Sequence, residues 1–140
     1  FGGFGRVFRC WRRPAGGAAP AGAAAALGEA FAAKVIDLRR LRLGPNADRD
    51  MLNLKREADI LKSLPAHPNV VSFVDSVEEP DWFFFVLELV AGGDLQSILR
   101  ALGRRRLETS EAAFVLRQLV DALAFLHGRG VVHRDLKPEN

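Results

Sequence analysis

The chain has a single cysteine, Cys10, in 140 residues, which excludes an internal disulfide and suits a reducing compartment. It has no apolar run as long as the roughly 20 residues of a membrane-spanning helix. It has no strong excess of either charge: 20 Lys and Arg against 17 Asp and Glu leave +3. Apart from Arg104, Arg105 and Arg106 the basic residues are dispersed, so a nucleic-acid partner has little support. The opening residues, FGGFGRVF, carry neither an initiator Met nor a signal-peptide pattern. These absences lead to an expected intracellular location, cytoplasmic or nuclear, with no nucleic-acid or membrane partner. About half of the residues are apolar (49%), enough to build a core. The length suits one domain or part of one. The start and the abrupt finish both resemble cuts, so a piece of a longer protein is expected.

Glycines lead into an alternation of Phe4, Arg6 and Phe8 against Gly5, Val7 and Arg9, which predicts a tight turn feeding a strand. Residues 13–30 are Ala/Gly/Pro-rich and offer few large side chains to pack, so a loosely ordered hairpin insertion is expected there. AFAAKVIDL (30–38) is an apolar run with one Lys and predicts a buried strand. Residues 48–64 predict a helix. At 100° per residue, Leu54, Ala58, Leu61 and Leu64 share a face, and Glu57 falls inside that apolar stripe. PAHPN then breaks the helix. VVSFVDSV and DWFFFVLELV, joined by EEP, predict a hairpin. AGGD leads to a short helix, LQSILRAL, and residues 109–128 predict a long one. On that helix Ala113, Leu116, Leu119, Val120, Leu123, Ala124 and His127 form a broad stripe, with Phe114 and Phe125 on another face. A helix greasy on more than one side belongs in the interior of something larger. No internal repeat is visible.

Each constellation of chemical interest has two readings. GGFGRV offers backbone N–H groups that can approach phosphate oxygens, or is an ordinary hairpin turn. Lys34, in its apolar strand, either snorkels to solvent or needs a counter-charge. Glu57 is either a solvated helix residue or that counter-charge, because a buried charge requires a partner. The exit of LELVAGGD either leaves backbone groups for a flat heterocycle or is a plain strand-to-helix joint with Asp94 as N-cap. The closing HRDLKPEN is harder to read as a bland surface loop. Asp135 can accept a hydroxyl proton, Lys137 can neutralise a phosphoryl group, and the Asn140 oxygen is a hard ligand suited to Mg²⁺. Pro138 stiffens the turn that presents them.

HRDLKPEN resembles the catalytic loop of eukaryotic protein kinases. The other pieces resemble that family's motifs in its order. GGFGRV is similar to the glycine loop without its first glycine. FAAK is similar to the Val-Ala-Ile-Lys motif, with Phe31 and Ala33 substituted and Ala32 and Lys34 retained. KREADIL, HPNVV and VLELVAGGDL resemble the ion-pair helix, the turn into the next strand and the hinge. The resemblance covers the chain except the Ala/Gly/Pro tract.

It implies an α+β fold: a small antiparallel-sheet lobe with one main helix (1–90, with 13–30 inserted), then the first helices of a helical large lobe and the catalytic loop (91–140), truncated. It implies ATP and Mg²⁺ as cofactors. Gly2, Gly3 and Gly5 would cover the phosphates. Val7, Ala32 and Leu87 would line the adenine slot, with Glu88 and Val90 offering backbone to its edge. Asp94 would face the ribose or a basic substrate residue. Lys34 would hold the α- and β-phosphates and pair with Glu57. Asp135 would be the catalytic base, Lys137 would contact the γ-phosphate and Asn140 would bind Mg²⁺. Lys137, two positions after Asp135, follows the serine/threonine pattern, so the implied partner is a protein substrate bearing Ser or Thr. Arg134 marks the subset whose activation loop is often controlled by phosphorylation. The wording of the small lobe is most similar to the calcium/calmodulin-dependent group, with regulation by calmodulin or another calcium sensor outside this segment. The Asp-Phe-Gly motif and activation loop are expected downstream, so the 140 residues alone are expected to be inactive. The contrasting expectation is a non-catalytic truncated kinase or pseudokinase that acts as a binding or scaffold module.

Overall fold

The computed structural model describes residues 5–12 and 28–139. The tract expected to be loosely ordered lies almost wholly outside the described residues, as do Gly2, Gly3 and Asn140. The elements are β1 (Gly5–Trp11), β2 (Ala30–Asp37), α1 (Leu38–Arg42), α2 (Ala47–Ser63), β3 (Phe73–Glu78), β4 (Trp82–Glu88), α3 (Leu95–Ala101) and α4 (Thr109–His127). They fall into two compact units. One holds the described residues up to Pro65 with Ser72–Leu89, and the other holds Ala66–Val71 with the residues from Val90 onward.

In the first unit the strands make one antiparallel sheet in the order β1-β2-β4-β3. Ala32 lies opposite Leu87, Lys34 opposite Phe85 and Ile36 opposite Phe83, so these six side chains share a face. Onto it packs a core of Ile36, Leu38, Leu41, Leu54, Ala58, Phe83 and Phe85, with Met51, Leu61, Phe73 and Leu87 at its margin. Leu54 and Ala58 on α2 occupy the stripe that their spacing predicts. Leu64 instead caps that helix in extended conformation ahead of Pro65, which disfavours helix in the residue before it.

The short helix α1 has no counterpart in the sequence expectation. Leu38 and Leu41 are only one i, i+3 pair, too brief to register as a period, yet both are fully buried. The helix starts there because the Asp37 carboxylate accepts the N–H groups of Arg39 at 3.0 Å and Arg40 at 3.4 Å. The Arg39 guanidinium closes on the same carboxylate and holds its pKa down, to about 2.

In the second unit α4 turns a different face inward from the one expected. Ala122 and Leu126 are buried, whereas Leu116, Ala124 and His127 are exposed and Val120 is 62% exposed. A helix apolar on more than one side gives no unique inward face by periodicity alone. Phe114 is 68% exposed. Phe125 is half-buried, with the His67 ring at 4.4 Å and the Arg129 guanidinium 3.9 Å from its ring centre. His67 also explains why residues 66–71 depart from the expected division near residue 90. Its Nδ1 accepts the Asn69 N–H (3.2 Å), its Nε2 lies 3.4 Å from the Asp121 carboxylate, and the Asn69 amide donates to that carboxylate at 2.8 Å. The break between helix and hairpin is thereby tied to α4. No described helix is long and apolar enough to cross a membrane.

The start of α4 is held by charge. Arg104 donates to both oxygens of Glu111, one of them at 2.9 Å, and the Glu108 N–H donates to Glu111 at 2.8 Å. The guanidinium, chiefly, lowers the Glu111 pKa from 4.5 to about 2.

Two outcomes follow for the protein that carries this chain. Leu54→Ala should cost about 2–5 kcal/mol of stability in chemical denaturation, because it empties the centre of the sheet–helix core. The second concerns acid. A depressed carboxyl pKa stabilises the fold above the unfolded value and loses that contribution as pH falls through the folded one. The melting-temperature advantage of wild type over Glu111→Gln should therefore be full above about pH 4.5 and disappear by about pH 2; a constant difference across that window would contradict the assignment.

Candidate functional site

Lys34 sits mid-way along β2, opposite Val7 of β1 and Phe85 of β4. Its neighbours on that face are apolar, so its ammonium needs a counter-charge close by. Glu57 supplies it. One turn after Leu54 and just before Ala58, it enters at the edge of the buried stripe of α2, and Lys34 Nζ donates to its Oε1 at 3.1 Å. The ammonium also lies 5.3 Å from the centre of the Phe85 ring. The side chains keep 26% and 32% of their surface, so the pair is screened from solvent but not sealed. The snorkelling lysine and the solvated glutamate are thus both replaced by one cross-element ion pair.

Around this cation the sheet forms an apolar shelf. Val7, opposite Lys34, is 69% exposed, and Ala32 and Leu87 face each other half-buried on the same side. Gly5 belongs to this face. A Cβ placed there would make only ordinary contacts, the nearest 3.5 Å from Lys34 Cγ. Packing therefore does not require a glycine at position 5, and its bare backbone stays open to a ligand. A cation beside an exposed apolar shelf fits a group with a phosphate end and a flat apolar end. At the exit of β4 the Glu88 N–H is already donated to Ser72 O at 3.0 Å, so this donor is not offered to a heterocycle edge.

The second unit holds the other predicted residues. Val90 is exposed. Gly93, at φ 77°, makes the left-handed turn before α3 that favours glycine. Asp94 caps α3: its carboxylate accepts the Ser97 N–H at 2.7 Å and the Ser97 hydroxyl at 2.6 Å, and both bonds hold its pKa below the usual carboxylate value. The N-cap role anticipated for Asp94 is the one seen.

After α4 the chain runs through Val131–Glu139 without regular structure. Lys137 Nζ donates to Asp135 Oδ2 at 2.7 Å, with both groups exposed. Pro138 O accepts the Gln96 N–H at 3.1 Å, which pins the loop to α3. Arg134 has φ 67°, a left-handed conformation that costs a non-glycine residue about 1–2 kcal/mol. It turns the Asp135 N–H back onto His133 Nδ1 at 3.3 Å. Sequence reasoning passed over His133; its signal is a His followed two residues later by Asp, the spacing also found at His67 and Asn69. Among the described residues no group of three or more His, Cys, Asp or Glu is gathered to hold a metal. Asn140, the predicted Mg²⁺ ligand, lies outside the described residues.

The chain thus joins an antiparallel sheet, whose lysine meets a helix-borne carboxylate, to a His-Arg-Asp-x-Lys loop further along the sequence. The family model described as "Protein kinase domain" matches residues 1–140, and the chain belongs to that family. Its α+β fold is a protein-kinase-like small lobe followed by the first helices of the large lobe. The chain is 41% identical over 113 residues to calcium-dependent protein kinase 7 of Arabidopsis thaliana, covering 81% of this chain and 20% of the relative. It is 39% identical over 110 residues to calcium/calmodulin-dependent protein kinase type II of Caenorhabditis elegans (79% and 14%). It is 42% identical over 113 residues to serine/threonine-protein kinase cds1 of Schizosaccharomyces pombe (81% and 24%). The chain thus spans about a quarter or less of the length of these relatives.

Because the ion pair keeps access to water, Glu57→Ala should cost only about 1 kcal/mol in chemical denaturation. A cost several times larger would show that the pair behaves as a sealed buried charge.

Proposed function

We propose that this chain contributes the nucleotide-binding and hydroxyl-activating residues of a serine/threonine protein kinase, which transfers the γ-phosphoryl group of ATP to a Ser or Thr hydroxyl of a protein substrate. The observation that carries this is the Lys34–Glu57 pair at 3.1 Å beside the apolar shelf of exposed Val7 and half-buried Ala32 and Leu87. A lysine fixed by a carboxylate is positioned to meet phosphate oxygens, and the shelf suits an adenine ring. Phosphoryl transfer asks the protein chiefly for positioning and charge neutralisation. In this scheme Lys34 holds the α- and β-phosphates under the backbone of Gly2, Gly3 and Gly5. The Glu88 carbonyl and the Val90 backbone take the adenine edge. Asp135 accepts the hydroxyl proton, and Lys137 neutralises the transferring group. The Asp94 carboxylate, kept ionised by Ser97, is offered to the ribose or to a basic substrate residue. Protein kinases use ATP with a divalent metal; here the metal is proposed to be Mg²⁺, with Asn140 as one ligand.

The likeness to a calcium-dependent and a calcium/calmodulin-dependent kinase supports control by a calcium sensor outside these residues. The comparable likeness to cds1 means that the calcium link needs its own test. The scheme entails an intracellular setting, where ATP is abundant.

The test is transfer of radiolabelled phosphate from Mg·ATP to a protein substrate by the protein that carries this chain. Asp135→Asn should lower kcat by about 100-fold or more while ATP affinity stays within a few-fold. Lys34→Met should weaken both. Transfer that is unchanged by Asp135→Asn would refute the assignment.

A further inference from the structure

The chain holds few side-chain hydroxyls: no tyrosine, one threonine (Thr109) and five serines. Ser63 donates its hydroxyl to Ile60 O at 2.7 Å, and Ser97 donates its own to Asp94 at 2.6 Å. Ser72 and Ser76 are half-buried. Thr109 and Ser110 remain, both exposed at the start of α4. The cap of that helix is closed by Glu111, which accepts the Glu108 N–H at 2.8 Å, so neither hydroxyl is needed to begin it. Ser110 is turned to an apolar cavity shared with Ile98, Leu107 and Phe114, and Thr109 stands outside that cavity.

The residues before Thr109 are Gly-Arg-Arg-Arg-Leu-Glu. Arg104 is committed to Glu111, whereas Arg105 and Arg106 are exposed. Thr109 therefore follows these two exposed guanidiniums by four and three residues, and the nearest arginine to Ser110 is four residues back. In an extended peptide three residues span about 10 Å, so one groove reads the Arg106 charge and receives the Thr109 hydroxyl together. Protein kinases select substrates by such charge patterns, and a guanidinium is read by a carboxylate through paired N–H···O bonds. Residues 102–108 have no helix or strand to unmake, with Gly103 left-handed at φ 66°. Thr109 lies in the first turn of α4, where N–H groups lack an intrahelical acceptor. Drawing it out straight breaks chiefly the Ala112 N–H bond to Glu108 O, at 2.8 Å.

We propose that Thr109 is a phosphorylation site, recognised through Arg105 and Arg106 by a protein kinase whose peptide groove carries carboxylates. In the step, Thr109 Oγ1 bonds to the γ-phosphorus of ATP. The bond from that phosphorus to the β,γ-bridging oxygen breaks, and ADP leaves with the electron pair. The hydroxyl proton passes to the base of the acting kinase. That enzyme is a second copy of the protein that carries this chain or another kinase with the same charge preference, and the recognition chemistry is common to both. The product places an anion at the N-terminus of a 19-residue helix, where the helix dipole favours it.

The substrate for the test is the folded protein that carries this chain with Asp135→Asn, which silences the transfer proposed above. It is incubated with Mg·ATP and either the wild-type protein or a purified kinase selective for Ser or Thr three residues after arginine. Mass spectrometry should find phosphate on Thr109 in more than half of the molecules in at least one arm. Thr109→Val should remove it, and Arg106→Ala should slow its formation at least about ten-fold, the loss of one charge-assisted contact. Both variants should melt with the unsubstituted protein. Labelling in the wild-type arm assigns the step to a second copy; labelling only with the added kinase assigns it to another enzyme, whether or not the wild-type protein transfers phosphate. Phosphate on Ser110 in place of Thr109, a Thr109 rate indifferent to Arg106→Ala, labelling only after the protein is heat-unfolded, or no labelling in either arm would overturn the proposal.

Discussion

A lysine ammonium on an apolar sheet face needs a counter-charge, and much of the first unit is arranged around meeting that need. Lys34 is fixed to β2 by two ladders, against β1 and β4, and cannot shift register without moving Ile36 and Ala32 out of place. Glu57 reaches it only because Leu54 and Ala58 hold α2 against the same face. The hydrophobic core thus sets the geometry of the ion pair, and the ion pair leaves the lysine directed rather than mobile. The net energy of such a pair is small. Its value is orientation, which is what phosphoryl transfer requires of a protein.

The second unit works by shorter-range means. Asp135 takes contacts from two residues away on either side, His133 on its backbone and Lys137 on its carboxylate. The loop is anchored through Pro138 to α3, which is itself capped by Asp94. The start of α4 depends on one guanidinium shared with Glu111. Apart from the part-buried Arg104–Glu111 pair, these are exposed polar contacts rather than buried packing, so point substitutions in the loop should change orientation more than overall stability.

The sequence made the sheet, the main helix and the ion pair legible because each rests on a pattern longer than one turn. The apolar run of β2, the Leu54/Ala58 spacing with Glu57 inside it, and the β-rich hairpin all carry such patterns. Helix α1 escaped because two leucines cannot establish a period; its start depends on a carboxylate that caps the helix locally. The inward face of α4 escaped because its apolar residues surround the helix, and tertiary contacts rather than spacing select Ala122 and Leu126. The attachment of residues 66–71 to α4 escaped because it runs through His67, Asn69 and Asp121, a polar set more than fifty residues apart in sequence. The HRDLKPEN loop was legible as chemistry from its residue types alone. The left-handed Arg134 and the ring acceptor on His133 are conformational facts that no residue count conveys.

The central claim is that the sheet face bearing Lys34 receives the phosphates of a nucleotide. Reaction with an acyl-phosphate analogue of ATP, which acylates a lysine beside the bound phosphates, tests it directly in the protein that carries this chain. Mass spectrometry should find Lys34 modified ahead of the solvent-facing Lys55 and Lys62, and excess ATP should suppress that modification. Labelling spread over the exposed lysines, or labelling of Lys34 that ATP does not suppress, would contradict it.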